Sequence, residues 1–140
     1  MDKHADKTDP LREKTLHLAI RTVKLYQYLT IEKKEYVVSK QLLRAGTNPG
    51  AMVREAANAE SGLDFIHKLA VAQKETGETM YWLELLFKTG FLSATEYESI
   101  DADSQEVMRL IRSSILTKKK RLGTKIASVL LIMFLIFNLI

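Results

Sequence analysis

Three observations predict an all-α fold, an antiparallel up-down four-helix bundle, for this 140-residue chain. Two prolines and six glycines are too few turn formers for a many-stranded β fold. Apolar residues recur at three- and four-residue spacing, the period of helices that each bury one face. A composition of 46% hydrophobic and 27% charged residues suits one globular domain with one core. The domain is expected over 9–121, preceded by a flexible N-terminus at 1–8 and followed by an apolar C-terminal tail at 122–140. The polar start lacks the apolar run of a secretory signal, so a cytoplasmic location is expected.

The first helix opens on Asp9 as N-cap, with Pro10 at the first helical position and Glu13 near the positive end of the dipole. Leu16, Ala19, Ile20, Val23 and Tyr26 are assigned to its buried face, and the pattern ends near Thr30. The second helix starts near Glu35, with Val38, Leu42 and Ala45 on one side and Leu43 on the flank. Within it lies Gly46-Thr-Asn-Pro-Gly50. Proline donates no backbone hydrogen bond and disfavours α geometry in the residue before it, so a kinked or broken helix is expected here, with a full loop as the competing reading.

The third helix runs from Gly62 to Lys88, capped by Ser61 with Asp64 and stopped by Gly90. Phe65, Leu69, Ala72, Thr76, Met80, Leu83 and Phe87 form its stripe. The fourth opens on the capping box Ser93-Ala-Thr-Glu96, and Tyr97, Ile100, Val107, Leu110, Ile111 and Ser114 face inward as far as about Arg121. Two long helices joined by about three residues must pack antiparallel.

The run Ser39-Lys-Gln-Leu-Leu-Arg-Ala-Gly-Thr47, followed by Ala51 through Glu55 and Ala56, resembles the signature of the bacterial four helix bundle protein family, also called the 23S ribosomal RNA intervening-sequence protein family. Asp64-Phe-Ile-His-Lys-Leu-Ala70, Lys74-Glu-Thr-Gly-Glu-Thr-Met-Tyr-Trp-Leu-Glu-Leu-Leu86 and Thr89-Gly-Phe-Leu92 are similar to its third helix and following turn. The likeness extends from about Leu11 to Lys120. Pro49 and Met52 depart from it, standing where an aliphatic residue and an asparagine are usual. The resemblance implies an up-down bundle that assembles as a homo-oligomer, typically a ring-shaped pentamer. It also implies kinship with accessory proteins of diversity-generating retroelements, which bind a reverse transcriptase and nucleic acid.

Chemistry is sparse in the sequence. With no cysteine there is no disulfide, thiolate metal site or cysteine nucleophile. A di-metal bundle needs Glu-x-x-His on two helices and a Glu on each of two others, whereas here only Asp64-x-x-His67 comes close. His17 and His4 do not complete it. Gly46 and Gly50 lack the lysine and spacing of a phosphate loop, and no nucleophile, base and oxyanion donor come together. No catalytic residue, metal or cofactor is assigned.

Three groups of residues invite a functional reading. Arg44, Glu55, Glu75, Glu78 and Glu84 form a polar network: either a site between helices or, the preferred reading, an ionic set that fixes helix register or a subunit contact. Trp82, Leu85 and Leu86 lie beside the main stripe of the third helix and are assigned to an oligomer interface. Lys118, Lys119, Lys120, Arg121 and Lys125 place five positive charges within eight residues. They exceed the formal net charge of +4, so the rest of the chain is close to neutral. The first four, with Arg44 and Arg54, are the candidate contacts for RNA, DNA or another anionic partner.

Beyond them, Ile126–Ile140 is apolar except for Ser128 and Asn138. As a helix these fifteen residues reach about 22 Å, short of a ~30 Å hydrocarbon core, but nineteen residues from Leu122 could cross a thinned bilayer. The basic cluster would then hold the bundle at the inner face of the membrane. The competing readings are burial within an oligomer and an extension acquired by a shifted reading frame.

Overall fold

The computed structural model describes residues 9–138, so the expected flexible segment 1–8, with His4, lies outside the described residues, as do 139 and 140. Four helices follow one another: α1 (Pro10–Ile31), α2 (Val38–Ala57), α3 (Gly62–Lys88) and α4 (Ala94–Asn138). Each packs on its sequence neighbours, and α4 closes the square against α1. No strand occurs among the described residues. The core is built from Leu18, Leu29, Leu42, Leu69, Leu83 and Ile111, all essentially inaccessible to water, with smaller side chains between them.

The expected helix starts form as read. The Asp9 carboxylate accepts from the N–H groups of Leu11 and Arg12 at 3.1 and 3.3 Å. At α4, Glu96 N–H donates to Ser93 Oγ at 3.2 Å while Ser93 N–H donates to the Glu96 carboxylate at 2.8 Å. Both arms of the capping box are made. Ser61 accepts from Asp64 N–H at 3.0 Å, but the shorter Asp64 carboxylate reaches Glu60 N–H instead of closing back on Ser61. Gly90 stops α3 with φ +83°, a left-handed conformation that glycine adopts without cost. The connection from Thr89 to Ser93 is longer than expected, and Phe87 stacks on Tyr97 across it with centroids 4.8 Å apart.

Three expectations are corrected. First, α2 is not broken: it is helical without interruption from Val38 to Ala57, with Pro49 inside it. Gly46 and Gly50 lie one turn apart on the side facing α1, where a Cβ would meet Thr22 and the Thr15 carbonyl respectively. Gly46 lets the two helices approach closely, whereas a Cβ at Gly50 would make an ordinary contact at 3.5 Å; neither glycine makes a turn. Second, the buried face of α1 is Leu11, Thr15, Leu18, Thr22 and Leu29, whereas Leu16, Ile20 and Val23 are exposed at 46, 46 and 39%. Third, α4 does not end near Arg121 but runs on for seventeen residues to Asn138.

The start of α2 has a cap that its sequence position did not suggest. Val37 occupies the N-cap and has no side chain for the task. The Glu35 carboxylate accepts from the N–H groups of Val37, Val38 and Ser39 at 3.0, 2.8 and 2.6 Å. Burial alone would push this carboxyl up, but the Ser39 and Val38 N–H groups, the Ser39 side chain and the Val37 N–H outweigh it, leaving it below its ordinary 4.5. A depressed carboxyl stabilises the fold above its unfolded-state pKa, and that stability is lost as pH falls through the folded value. Glu35→Gln should therefore cost about 1 kcal/mol at neutral pH. Melting both proteins from about pH 7 to about pH 3 should show the gap between them closing once pH drops below 4.5. A gap that stays constant would mean that the charge is irrelevant to the cap.

Candidate functional site

The polar network splits into two parts. Arg44 on α2 reaches across to α3, where Nη1 donates to Glu75 at 3.3 Å and Nη2 donates to Glu78. Glu78 also accepts from the Trp82 indole N–H at 3.3 Å. Glu75 is buried, although a carboxylate is rarely found there without a partner. Its other neighbour is Lys74 at 3.8 Å. Glu55 belongs elsewhere: it pairs with Lys68 at 3.0 Å, and that contact, with the fields of Asp64 and Glu60, holds the Lys68 ammonium above its usual range. Glu84 is exposed and joins neither group.

Glu55, Glu75 and Glu78 are each held by a cation, and Glu78 by an indole N–H as well. Among the described residues there is no group of three or more histidines, cysteines or carboxylates that could hold a metal ion. Asp64 is used in capping, and His67 is exposed on the outside of α3. His17 sits 3.6 Å from Asp103 of α4.

A third ionic set, between α1 and α4, was not anticipated. Arg21 donates to Asp103 and, at 2.9 Å each, to the Ser99 carbonyl and hydroxyl. One turn and two turns earlier, His17 faces the same Asp103 and Lys14 pairs with Glu106 at 3.3 Å. The partners are 78 to 92 residues apart in the chain, and no local spacing announces them. They join the one pair of neighbouring helices that no short connection links.

The residues expected at a subunit interface are distributed differently from the expectation. Leu86 is 1% exposed and belongs to this chain's own core, so it is unavailable to a partner. Trp82 and Leu85 are half-buried, Trp82 packed against the core and edge-on to Tyr81 at 4.9 Å. A further apolar surface lies on α1, where Leu16, Ile20 and Val23 line one outward strip.

The six candidate cations do not form one surface. Arg44 is engaged by Glu75 and Glu78, and Arg54 donates to the Gly50 carbonyl of its own helix at 3.0 Å. Lys118 lies over the Phe65 ring, 5.1 Å from its centroid. Lys119, Lys120 and Arg121 are exposed, and at 100° per residue the four consecutive cations encircle α4. They make a collar. Just past it, Leu122 meets Gly62 at the start of α3. From Gly123 onward every described residue of α4 is exposed.

A family model described as 23S rRNA-intervening sequence protein matches residues 10–113, from the start of α1 to the middle of α4. Solved structures are similar as well. One is the 1.70 Å crystal structure of a protein with unknown function from the S23 ribosomal protein family of Bacteroides thetaiotaomicron VPI-5482. It is 50% identical with a TM-score of 0.74, covering 75% of this chain and 97% of that one. A comparison with curated proteins found no match. The family match ends before the collar.

Proposed function

The chain belongs to the 23S rRNA-intervening sequence protein family, and we propose that it acts as a non-enzymatic, self-associating helical scaffold. The observation that carries this reading is the outward strip of α1. Leu16, Ile20 and Val23 recur on one face at helical spacing, half exposed, and none of the other three helices covers them. An apolar stripe of this kind is the surface that a second helix buries. The like strip on another copy is the natural occupant, and the resemblance sets five as the expected subunit number.

RNA or DNA as the partner has less support. Of the six cations assigned to it, two are engaged within the bundle and the rest surround one helix without lining a face. A reverse transcriptase rests on the resemblance alone.

Sedimentation equilibrium of the full chain in a mild non-ionic detergent tests the scaffold. The detergent covers the apolar end of α4, so association through the bundle is read by itself. The expected mass is a multiple of the 16.0 kDa protomer. Leu16→Asp with Ile20→Asp should reduce it to one protomer while leaving helical circular dichroism unchanged. A wild-type monomer would overturn the reading.

A further inference from the structure

We propose that the distal part of α4 is a membrane-embedded segment, with the basic collar seated among anionic lipid headgroups and the bundle held on the collar's side of the bilayer. Five observations converge on a lipid occupant.

The first is circumference. Ile126 and Val129 through Phe137 are each 53 to 81% exposed, and nine consecutive residues at 100° apiece cover every side of the helix. A helix made to pack on one protein partner carries a stripe, whereas one that is apolar all round is suited to hydrocarbon. The second is the polar atoms. Thr124 Oγ1 donates to the Lys120 carbonyl at 3.0 Å, Ser128 Oγ to Thr124 at 3.0 Å and Asn138 Nδ2 to Phe134 at 2.8 Å. With the backbone paired within the helix, these side chains satisfy themselves as a non-hydrogen-bonding solvent demands.

The third is charge. No acidic residue follows Glu106, whereas Arg109, Arg112, Lys118, Lys119, Lys120, Arg121 and Lys125 all do. A collar that runs around the helix matches a planar anionic surface pierced by it, and a long lysine such as Lys125 can reach back to the headgroups. Cations on this side of the segment place the bundle at the inner face. The fourth is length. The sixteen residues from Gly123 to Asn138 rise about 24 Å, enough for a thinned ~30 Å hydrocarbon core, and mean hydropathy reaches 1.6 over an 18-residue window with none of it buried in the protein. The fifth is position. Leu122 against Gly62 closes the bundle, so the apolar helix leaves its end clear of the other helices.

The full chain, transferred from detergent into vesicles of phosphatidylcholine and phosphatidylglycerol, is floated on a density gradient and then washed with 1 M salt and with alkaline carbonate. Wild type should float and resist both washes. Leu131→Asp with Phe134→Asp should reduce the floated fraction at least tenfold while sedimentation in detergent shows the same protomer association and circular dichroism shows a folded bundle. Lys119→Gln, Lys120→Gln and Arg121→Gln together should still float but lose a severalfold preference for anionic over neutral vesicles.

Release of wild type by salt would reduce the contact to surface electrostatics and overturn the proposal. So would wild type remaining at the bottom of the gradient, whether as an oligomer whose apolar helices bury one another or bound to a short RNA at low salt. The outcome is independent of the scaffold reading, which is measured with the segment already covered.

Discussion

Gly46→Val should destabilise the bundle by about 3 kcal/mol or more, the upper end of overpacking losses. An ideal Cβ at Gly46 would lie 2.4 Å from Thr22 Oγ1, 2.7 Å from its Cγ2 and 3.0 Å from its Cβ. Thr22 cannot move aside. It is fully buried, its hydroxyl donates to the Leu18 carbonyl at 2.8 Å, and a β-branched side chain on a helix has few other rotamers. Gly46→Ala isolates the contact: on an open helix it would gain about 1 kcal/mol, and here it should lose instead. Thr22→Ala removes the two closest atoms, so Gly46→Ala with Thr22→Ala should recover most of what Gly46→Ala alone loses. Gly62→Ala is the control. Its new Cβ meets only the flexible end of Leu122 at 2.7 Å, which can swing away, so it should change stability by less than about 1 kcal/mol. Urea titrations of the five proteins decide the matter, and a neutral Gly46→Ala would mean that α1 and α2 are not held at this separation.

That glycine also shows where the sequence misleads. Gly46, Pro49 and Gly50 read as helix breakers because propensity describes an isolated helix, whereas α2 is held between α1 and α3. The same local reading chose the wrong face of α1. Leu16, Ile20 and Val23 are the more apolar set, but Leu11, Thr15, Leu18, Thr22, Leu25 and Leu29 keep an unbroken four-three spacing and face the core. Thr15 and Thr22 can be buried because their hydroxyls donate to the carbonyls of Leu11 and Leu18, one turn back. Regularity of spacing was the better signal, and polarity disguised it. Caps were legible because they are local: Asp9, Ser61 and Ser93 bond within three residues. Contacts that depend on how helices meet, such as Arg21 with Asp103, leave no local trace. Surplus apolar surface was expected on α3, where Trp82 and Leu85 are half-buried and Tyr81 is exposed; the strip of Leu16, Ile20 and Val23 on α1 left no such signal, because its residues were assigned to the core.

Arg44→Met should cost about 3 kcal/mol, and the loss should far exceed that of Glu75→Gln. The side chains differ in solvent: Glu75 is 6% exposed, Arg44 53%. Removing Arg44 leaves a carboxylate inside the α2–α3 seam with only Lys74, 3.8 Å away and itself mostly in water, as counter-charge. An uncompensated buried charge costs about 3–5 kcal/mol, and the open side of Arg44 places this case at the lower end. Removing the Glu75 charge instead frees an arginine that can rehydrate and still holds Glu78, so about 1 kcal/mol is expected. Arg44→Met with Glu75→Leu should return close to wild type, because a packed apolar pair serves a helix seam about as well as a buried ion pair. With Glu75→Leu as the second single variant, costing about 1 kcal/mol like Glu75→Gln, the cycle should therefore show about 4 kcal/mol of coupling, measured by urea denaturation of all four proteins. It also arbitrates between the two readings of the network. If Arg44→Met were neutral, Glu75 would have water or another partner to fall back on, and a carboxylate free in the seam would be a candidate for chemistry. A large loss, restored by the apolar pair, assigns Arg44 and Glu75 to register and leaves the work of this chain to its surfaces.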